Sequence, residues 1–283
     1  MPLRARSCRP GREVGHLDGG WTIPETLISN PFPALVHREW AERLPWLVQG
    51  TTLASQGHSE KGRNGKPWDL ALFGKSSGER ALGAWVRLME GLEITRAAHA
   101  RQVHASAVLL HEPGPPGMHV HPGADGHATR HPDLLLTISL ADCIPAFVVE
   151  PERRIVLLLH CGWRGVAAGI VEAGLLLLED RLAVARGDLH VHLGPGVCGE
   201  CYEVGPEVHE ALGEPVSTGP RPIALPEIVR NRFLEGGVSE ARVSVSRTCT
   251  LCSDLPLFSH RGGDGGRHVA YLAVRRDAAG RYP

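Results

Sequence analysis

The sequence predicts a mixed α/β fold, and two apolar runs with the glycine turn that follows them carry this prediction. Leu134–Leu140 and Ile155–Leu159 are almost continuously apolar, which is typical of strands buried on both faces of a sheet. Gly162–Gly165 interrupts the second run, and apolar residues then recur at helical spacing from Val166. Because no repeat and no clean linker divides the chain, residues 21–283 are predicted to form one domain.

The segment before these runs combines a leader, a long loop and a helix. Residues 1–20 are rich in glycine and arginine and predict a disordered leader, while Trp21–Leu47, with its prolines and aromatics, is expected to pack on the main body. Gln49–Lys66 is polar and glycine-rich, which predicts a long loop. Apolar residues form one helical stripe in Gly78–Leu92, and Ala107–Leu110 predicts a short strand.

Turn residues dominate Glu112–Arg130, so this segment is predicted to be a loop. A tight loop with Cys143 then follows the predicted strand Leu134–Leu140 and leads into a second strand. A turn at Glu150–Arg154 separates this second strand from the one that ends at His160. The remaining predicted elements are strand His190–Leu193, helix Glu227–Glu235, strand Arg242–Ser246 and the closing strand His268–Val274.

The composition argues against several classes of partner. The 283 residues carry a net charge of −1 and the pI is near 7.0, which argues against nucleic acid and anionic membranes. No apolar run approaches the roughly 20 residues that a membrane-spanning helix needs, and Met1–Gly20 lacks the apolar core of a secretory signal. The seven cysteines therefore favour thiols or metal ligands over disulfides, and the cytoplasm is the expected compartment.

Three metal-capable side chains stand at predicted strand ends, namely His104, Cys143 and His160. Zinc accepts imidazole and thiolate ligands, and a catalytic zinc usually keeps three protein ligands and an open fourth position. The same residues have ordinary alternatives, because a cysteine in an apolar hairpin is often a small buried thiol and a histidine can cap a strand end. Cys143 and His160 could also form the thiolate and base of a cysteine hydrolase.

Two CxxC pairs, Cys198 with Cys201 and Cys249 with Cys252, have the form of ligands in a structural zinc site. Their separation is much longer than the roughly 15–20 residues of a compact zinc ribbon. We therefore predict that these four cysteines are reduced thiols and not a second complete zinc site.

Two further groups of polar residues give weaker indications. Four histidines lie among prolines and glycines, so a solvated loop is the better interpretation for His119, His121, His127 and His131. Two acidic residues could act as paired carboxylates, but we expect Asp125 and Asp142 to hold loops instead.

The strand–turn–helix unit after His160 is suited to an anion. A glycine turn of this kind points backbone N–H groups at whatever lies above it, and Arg164 adds a forked cation just ahead of the helix predicted from Val166. The spacing is not that of a Walker loop, so the residues alone only suggest an anion site.

Seven short strings carry a resemblance to a known family. In chain order they are Arg101–His104, Gly123–Asp125, Ala141–Pro145, His160–Gly169, Cys201–Gly205, Thr248–Thr250 and Phe258–Arg261. Together they closely resemble the YfiH-like family, whose members are known as multicopper polyphenol oxidases (laccase domain) and as purine nucleoside phosphorylases. The resemblance covers roughly Gln49–Val274 and is most specific over Gln102–Gly205.

This resemblance implies a four-layer α/β/β/α sandwich with mixed sheets, built from a duplicated unit. It implies a zinc site whose ligands are His104, Cys143 and His160, whereas multicopper oxidation would need further histidine-rich clusters. It also implies phosphorolysis of adenosine, inosine, guanosine and methylthioadenosine, and deamination of adenosine. The partners would then be a purine nucleoside and phosphate, with Arg164 near the phosphate and Cys143 and His160 at the reaction centre.

Three positions depart from the family's pattern on its substrate side. Leu53 and Gly262 stand where arginines are usual, and Ala71 stands where an asparagine is usual. These departures keep two alternatives open. One is an amidase or hydrolase of peptidoglycan precursors that uses zinc-bound water or the Cys143 thiolate, and the other is a metal-binding homologue that has lost catalysis.

Overall fold

The computed structural model describes residues 24–54, 68–73, 79–216 and 218–276, so the leader predicted at residues 1–20 lies outside the described residues. The strands are β1 Glu25–Ile28, β2 Ala34–His37, β3 Leu47–Thr52, β4 Arg96–Ala100, β5 Val108–Leu110, β6 Gly117–His121, β7 Gly126–Thr129, β8 Leu134–Leu140, β9 Ile144–Glu150, β10 Ile155–Cys161, β11 His190–Leu193, β12 Glu203–Val204, β13 Arg221–Pro222, β14 Val243–Val245 and β15 His268–Val274. The helices are α1 Arg38–Arg43, α2 Glu79–Leu92, α3 Trp163–Ala167, α4 Ile170–Leu182, α5 Pro206–Ala211 and α6 Leu225–Glu235. None of these described helices is both long enough and apolar enough to cross a membrane.

Most strands belong to two large sheets. The order is β1-β2-β3-β15-β8-β4-β6 in the first sheet and β14-β11-β9-β10-β7-β5 in the second, while β12 and β13 form a separate short ladder. In the first sheet β4 runs parallel to both β6 and β8. In the second sheet β5 is parallel to β7, and β11 is parallel to β14. The other neighbouring strands are antiparallel, so both sheets are mixed.

The alternation of side chains along β8 and β10 shows how the two sheets pack. Leu136 of β8 and Leu158 of β10 belong to one buried cluster between the sheets. Leu135 faces the opposite way and packs with α2, whereas Leu157 packs with α4 and α6. The layers therefore run helix, sheet, sheet, helix, which confirms the predicted fold class. Burial of each such leucine contributes about 1.5–3 kcal/mol, which explains why both strands are apolar on both faces.

The central unit and most later elements follow the sequence prediction. β8 coincides with Leu134–Leu140, and β10 extends the predicted Ile155–Leu159 to Cys161. The predicted helix Gly78–Leu92 is α2, which begins one residue later. β5, β11, β14, β15 and α6 also form where the sequence predicts them. The N-terminal segment packs on the body as expected, because β1, β2 and β3 extend the first sheet.

The prediction of a loop over Gln49–Lys66 is wrong in its first residues. β3 continues to Thr52, lies between β2 and β15 and is buried along its whole length. Gly50 suggested a loop, but it is needed for close packing in the sheet. A Cβ at this position would lie 2.5 Å from the hydroxyl oxygen of Tyr271 and 2.9 Å from the carbonyl oxygen of Leu35. Residues 55–66 lie outside the described part of the chain.

The prediction of a loop over Glu112–Arg130 is also wrong, because this segment contains β6 and β7. β7 is fully buried and pairs with β10. Gly126 permits this pairing, since a Cβ there would lie 2.7 Å from Cδ2 of Leu159. The sequence predicts a loop here because prolines and glycines flank both strands and the apolar runs within them are short.

The helix predicted from Val166 is divided into two helices. α3 begins at Trp163 and ends at Ala167, and α4 begins at Ile170. Gly169 lies between them with φ +84, a left-handed conformation that glycine adopts without steric cost. Arg164 therefore lies in the first turn of α3, not ahead of a helix that starts at Val166.

Candidate metal centre

Three segments bring His104, Cys143 and His160 together. His104 follows β4, Cys143 lies in the turn between β8 and β9, and His160 is the penultimate residue of β10. One ligand atom from each residue lies within 4.8 Å of the others. The two imidazole rings meet edge to face with their centroids 4.8 Å apart. The side chains that the sequence singles out thus form one cluster of two imidazoles and one thiol, a set that zinc accepts.

Asp125 positions both histidines of this cluster. Its carboxylate accepts hydrogen bonds from the backbone N–H groups of Val103, His104 and Ala105 at 3.1, 3.0 and 3.0 Å. The same carboxylate lies 2.8 Å from Nδ1 of His160. These contacts hold His104 in a left-handed conformation with φ +57 and leave Nε2 of His160 for the cluster. Asp125 holds a loop, as expected, and in addition orients a ligand.

Asp142 holds the turn that carries Cys143. Its backbone is strained, with φ +89. Its carboxylate accepts a hydrogen bond of 2.6 Å from Oγ1 of Thr250 and one of 2.7 Å from the N–H of Arg261. Contacts with a distant loop therefore keep the turn in place, and Asp142 acts on the cluster through its neighbour Cys143.

Cys143 and His160 form a charged pair. Burial would raise the pKa of Cys143, but the charge of His160 and hydrogen bonds from His104 and His160 outweigh it and lower this pKa to about 6. Burial would lower the pKa of His160, but Cys143 and Asp125 raise it to about 9. Near neutral pH the pair is thus a thiolate and an imidazolium. A metal ion would replace the proton on His160, so its binding releases a proton.

Gly162 keeps the space beside the cluster clear. A Cβ at this position would lie 3.1 Å from Sγ of Cys143 and 3.1 Å from Cδ2 of His104. Any other residue would therefore crowd two of the three candidate ligands. Three features fit a bound zinc ion. They are the space left open by Gly162, the combination of two imidazoles and one thiol, and the orientation of His160 by Asp125.

The cluster is closed on one side and open on the other. His160 is only 2% exposed, Cys143 is half-buried and His104 is exposed. This gradient suits a site in which one coordination position faces solvent.

Two aromatic–cation pairs border the open side. Burial and the negative charges of Cys143 and Asp142 raise the pKa of the Tyr202 hydroxyl to about 12, whereas Arg261 and Arg164 act in the opposite direction. The Arg261 guanidinium lies 4.9 Å from the ring centroid of Tyr202. The sequence strings contain both residues, but no spacing pattern indicates that they meet.

Arg164 is exposed, and its guanidinium stacks 4.3 Å from the ring centroid of Trp163. It has no carboxylate partner within the described residues, and its charge acts on Tyr202 beside the cluster. The carboxylate of Asp142 bonds to the Thr250 hydroxyl and to the N–H of Arg261, and not to Arg164. The guanidinium can therefore meet an anion at the open side of the cluster.

The four histidines of the predicted solvated loop do not join this cluster. His127 lies on β7, is fully buried, and its Nδ1 is 2.8 Å from Nε2 of His111, so the solvated-loop interpretation is wrong for this residue. It is also wrong for His119 and His121, which lie on β6 and are half-buried. His119 bonds to the carbonyl oxygen of Pro115 and His131 to the carboxylate of Glu112, both near the surface. His121 packs its ring 4.9 Å from that of His111.

The three positions that depart from the family's pattern contribute packing or a turn. Leu53 is buried with Leu35 and Leu257. Ala71 is buried as well, and the backbone N–H of Gly262 donates to Oγ of Ser259 at 3.0 Å. None of the three supplies the polar side chain that is usual there.

Comparisons with known proteins agree with this fold. Residues 76–275 match the family model described as multi-copper polyphenol oxidoreductase laccase. The purine nucleoside phosphorylase YlmD of Geobacillus stearothermophilus is 34% identical over 169 residues, which are 55% of this chain and 62% of the relative. The adenosine deaminase RL5 of an unknown prokaryotic organism is 31% identical over 160 residues, 51% of this chain and 60% of the relative. The matches thus span about three fifths of these two relatives.

The crystal structure of YlmD from Geobacillus stearothermophilus is similar over most of the chain. The TM-score is 0.78 at 27% sequence identity, and the match covers 89% of this chain and 100% of that one. The similarity extends beyond the central unit and therefore supports the four-layer arrangement as a whole.

Proposed function

This chain belongs to the multi-copper polyphenol oxidoreductase laccase family, and from that premise we propose that it is a zinc enzyme acting on purine nucleosides. The observation that carries the proposal is the cluster of His104, Cys143 and His160, held by Asp125 and open to solvent on one side. The proposed reactions are phosphorolysis of adenosine, inosine, guanosine and methylthioadenosine, and deamination of adenosine. The names of the two relatives support this substrate class.

The three ligands favour zinc over copper. A zinc ion held by His104, Cys143 and His160 would supply Lewis-acid chemistry to the reaction. Multicopper oxidation needs additional histidine-rich clusters. The other group of candidate ligands in the described residues consists of cysteines alone.

In phosphorolysis, the residues at the open side of the cluster have distinct roles. A phosphate oxygen bonds to the anomeric carbon while the bond from that carbon to the purine nitrogen breaks, and the purine leaves with the electron pair and takes up a proton. Arg164 pairs with the phosphate and holds it against the sugar. Tyr202 stays protonated because its pKa is about 12, so its hydroxyl can donate a hydrogen bond. Orientation and charge stabilisation are the main contributions of such residues.

The test replaces Arg164 by alanine and compares it with Arg181→Ala, which removes an exposed arginine from the end of α4. Release of free purine from inosine is measured with and without phosphate, and deamination of adenosine is measured in parallel. Arg164→Ala should lose about 10²–10³-fold in phosphorolysis, the scale for removal of one charge-stabilising donor. Zinc content should stay unchanged, deamination should fall much less, and Arg181→Ala should match the parent.

Equal loss of both activities with a lowered melting temperature would show that Arg164 is structural. Absence of turnover of every nucleoside by the zinc-loaded parent would contradict the proposal. It would favour a hydrolase of cell-wall precursors or a homologue without catalysis, and an amide-cleavage assay separates these two. Chelation would then distinguish a zinc hydrolase from one that uses the Cys143 thiolate.

A further inference from the structure

The two CxxC pairs meet in space, although 47 residues separate Cys201 from Cys249. β11 leads into the first pair and β14 into the second, and these strands are parallel neighbours paired from Val191 with Val243 onward. Both loops therefore leave the same end of the sheet. The long sequence separation, on which the prediction against a second zinc site depends, therefore does not keep the two pairs apart in the fold.

The geometry suits a tetrahedral thiolate site. The four sulfur atoms lie within 4.8 Å of one another, and those of Cys198 and Cys252 are 4.0 Å apart. A tetrahedron with zinc–sulfur bonds of about 2.3 Å has sulfur–sulfur edges of about 3.8 Å. All four cysteines are thiols in this structure, as expected from the sequence.

The hydrogen bonds to Cys249 suit a thiolate ligand. Sγ of Cys249 accepts hydrogen bonds from the N–H of Cys198 at 3.3 Å and from the N–H of Leu251 at 3.4 Å. Cys249 is only 4% exposed, and the other three cysteines are half-buried. Several thiolates in so small a volume repel each other unless a cation lies between them.

We propose that Cys198, Cys201, Cys249 and Cys252 bind a second, structural zinc ion. Four soft thiolates in a tetrahedron select zinc or iron among biological metals, and a closed set of four protein ligands is typical of structural zinc. A redox-active dithiol needs only one pair, whereas here both pairs converge on one point.

The proposed ion stabilises the wall of the candidate active site. Thr250 follows Cys249 directly, donates its hydroxyl to Asp142 and its N–H to the carbonyl oxygen of Gly196. The N–H of Val197, beside Cys198, donates to the carbonyl oxygen of Asp142 at 2.9 Å. Zinc at the four cysteines would therefore fix the two segments that hold the turn carrying Cys143. This inference does not depend on the proposed nucleoside chemistry.

The test counts zinc per chain by elemental analysis and native mass spectrometry, in full-length protein purified under reducing conditions with zinc. The parent should carry about two zinc ions, Cys143→Ala about one, and Cys252→Ser about one. The doubly substituted chain should carry none. Ser253→Ala changes a neighbouring residue that is not a ligand, so it should retain the parent's content.

The outcomes separate this site from the first one. One zinc in the parent that persists in Cys143→Ala and disappears in Cys252→Ser would support the four-cysteine site and contradict the other. One zinc that disappears in Cys143→Ala and persists in Cys252→Ser would overturn the inference. If Cys252→Ser does not fold, cobalt-loaded Cys143→Ala decides, because four thiolates give intense thiolate-to-cobalt absorption. Absence of that absorption, iron in place of zinc, or two disulfides in the metal-free protein would overturn the proposal.

Discussion

The carboxylate of Asp125 has four hydrogen-bonding partners, and three of them are the consecutive backbone N–H groups of residues 103–105. Asparagine has the same shape but only one acceptor atom, so Asp125→Asn should misplace His104 and weaken the orientation of His160. We expect zinc affinity to fall about 10–100-fold, the usual effect of losing a residue that orients a metal ligand. Competition with a chromophoric chelator measures this affinity.

The control for this prediction is Asp180→Asn, at an exposed position of α4. It should leave zinc affinity unchanged. If Asp125→Asn lowers the melting temperature of the metal-free protein but binds zinc as tightly as the parent, Asp125 is only a structural residue.

Gly162 gives a second prediction at the scale of one residue. The Cβ of Gly162→Ala would approach Sγ of Cys143 and Cδ2 of His104 to 3.1 Å, so both ligand side chains would have to shift by a few tenths of an ångström. Gly162→Ala should therefore lose much of its bound zinc at the first site. Gly187→Ala is the matched control, since its Cβ would meet nothing within 4 Å. Full zinc occupancy of Gly162→Ala would show that the space left open by Gly162 is not needed.

The candidate ligands could be named from the sequence, but their supports could not. His104, Cys143 and His160 stand out because imidazole and thiol groups bind metals. The roles of Asp125 and Asp142 depend on contacts over 20 or more residues, such as the bond between Asp142 and Thr250. No local pattern encodes contacts of this kind, because they exist only after the strands have paired.

At the scale of single elements, β15 contains a buried histidine without a hydrogen-bond partner in the described part of the chain. His268 is fully buried, neither ring nitrogen is bonded, and the ring of Phe258 stacks at 6.4 Å. Burial lowers its pKa from 6.5 to about 3. The neutral form therefore belongs to the folded state, and protonation favours unfolding.

The sign of the pH dependence follows from this shift. The folded pKa lies below the unfolded value, so the contribution to stability is intact above pH 6.5 and is lost as pH falls toward 3. From about pH 7.5 to about pH 5.5, the parent should lose roughly 1 kcal/mol more unfolding free energy than His268→Phe. Urea unfolding at both pH values measures the difference. Equal losses in the two proteins would contradict the assignment.

The elements that the sequence predicts well are those buried on both faces. β8 and β10 have unbroken apolar runs, and α2 has a clear apolar stripe. The sequence predicts loops over β7 and over β3 from Gln49 onward, because Gly50 and Gly126 look like turn residues although they permit close packing in the sheets. The segment after His160 differs in another way. Its continuous apolar pattern predicts one helix, but the structure has two helices separated at Gly169.

At the scale of the whole molecule, strand order brings distant residues to one region. Cys143 lies between β8 of the first sheet and β9 of the second, so the candidate metal centre stands where the chain crosses between the two sheets. β11 and β14 lead into the loops that carry the four cysteines, and Thr250 in one of these loops bonds to Asp142. The two groups of ligands are therefore connected through one short chain of hydrogen bonds.

The most direct test of the account is phosphate-dependent release of hypoxanthine from inosine by the zinc-loaded parent and by Cys143→Ala. The parent should release hypoxanthine only when phosphate is present, and Cys143→Ala should release it at a rate lower by at least about 10²-fold, the scale for loss of one charge-stabilising group. Release by Cys143→Ala at the parent's rate would contradict the claim that the cluster of His104, Cys143 and His160 is the reaction centre.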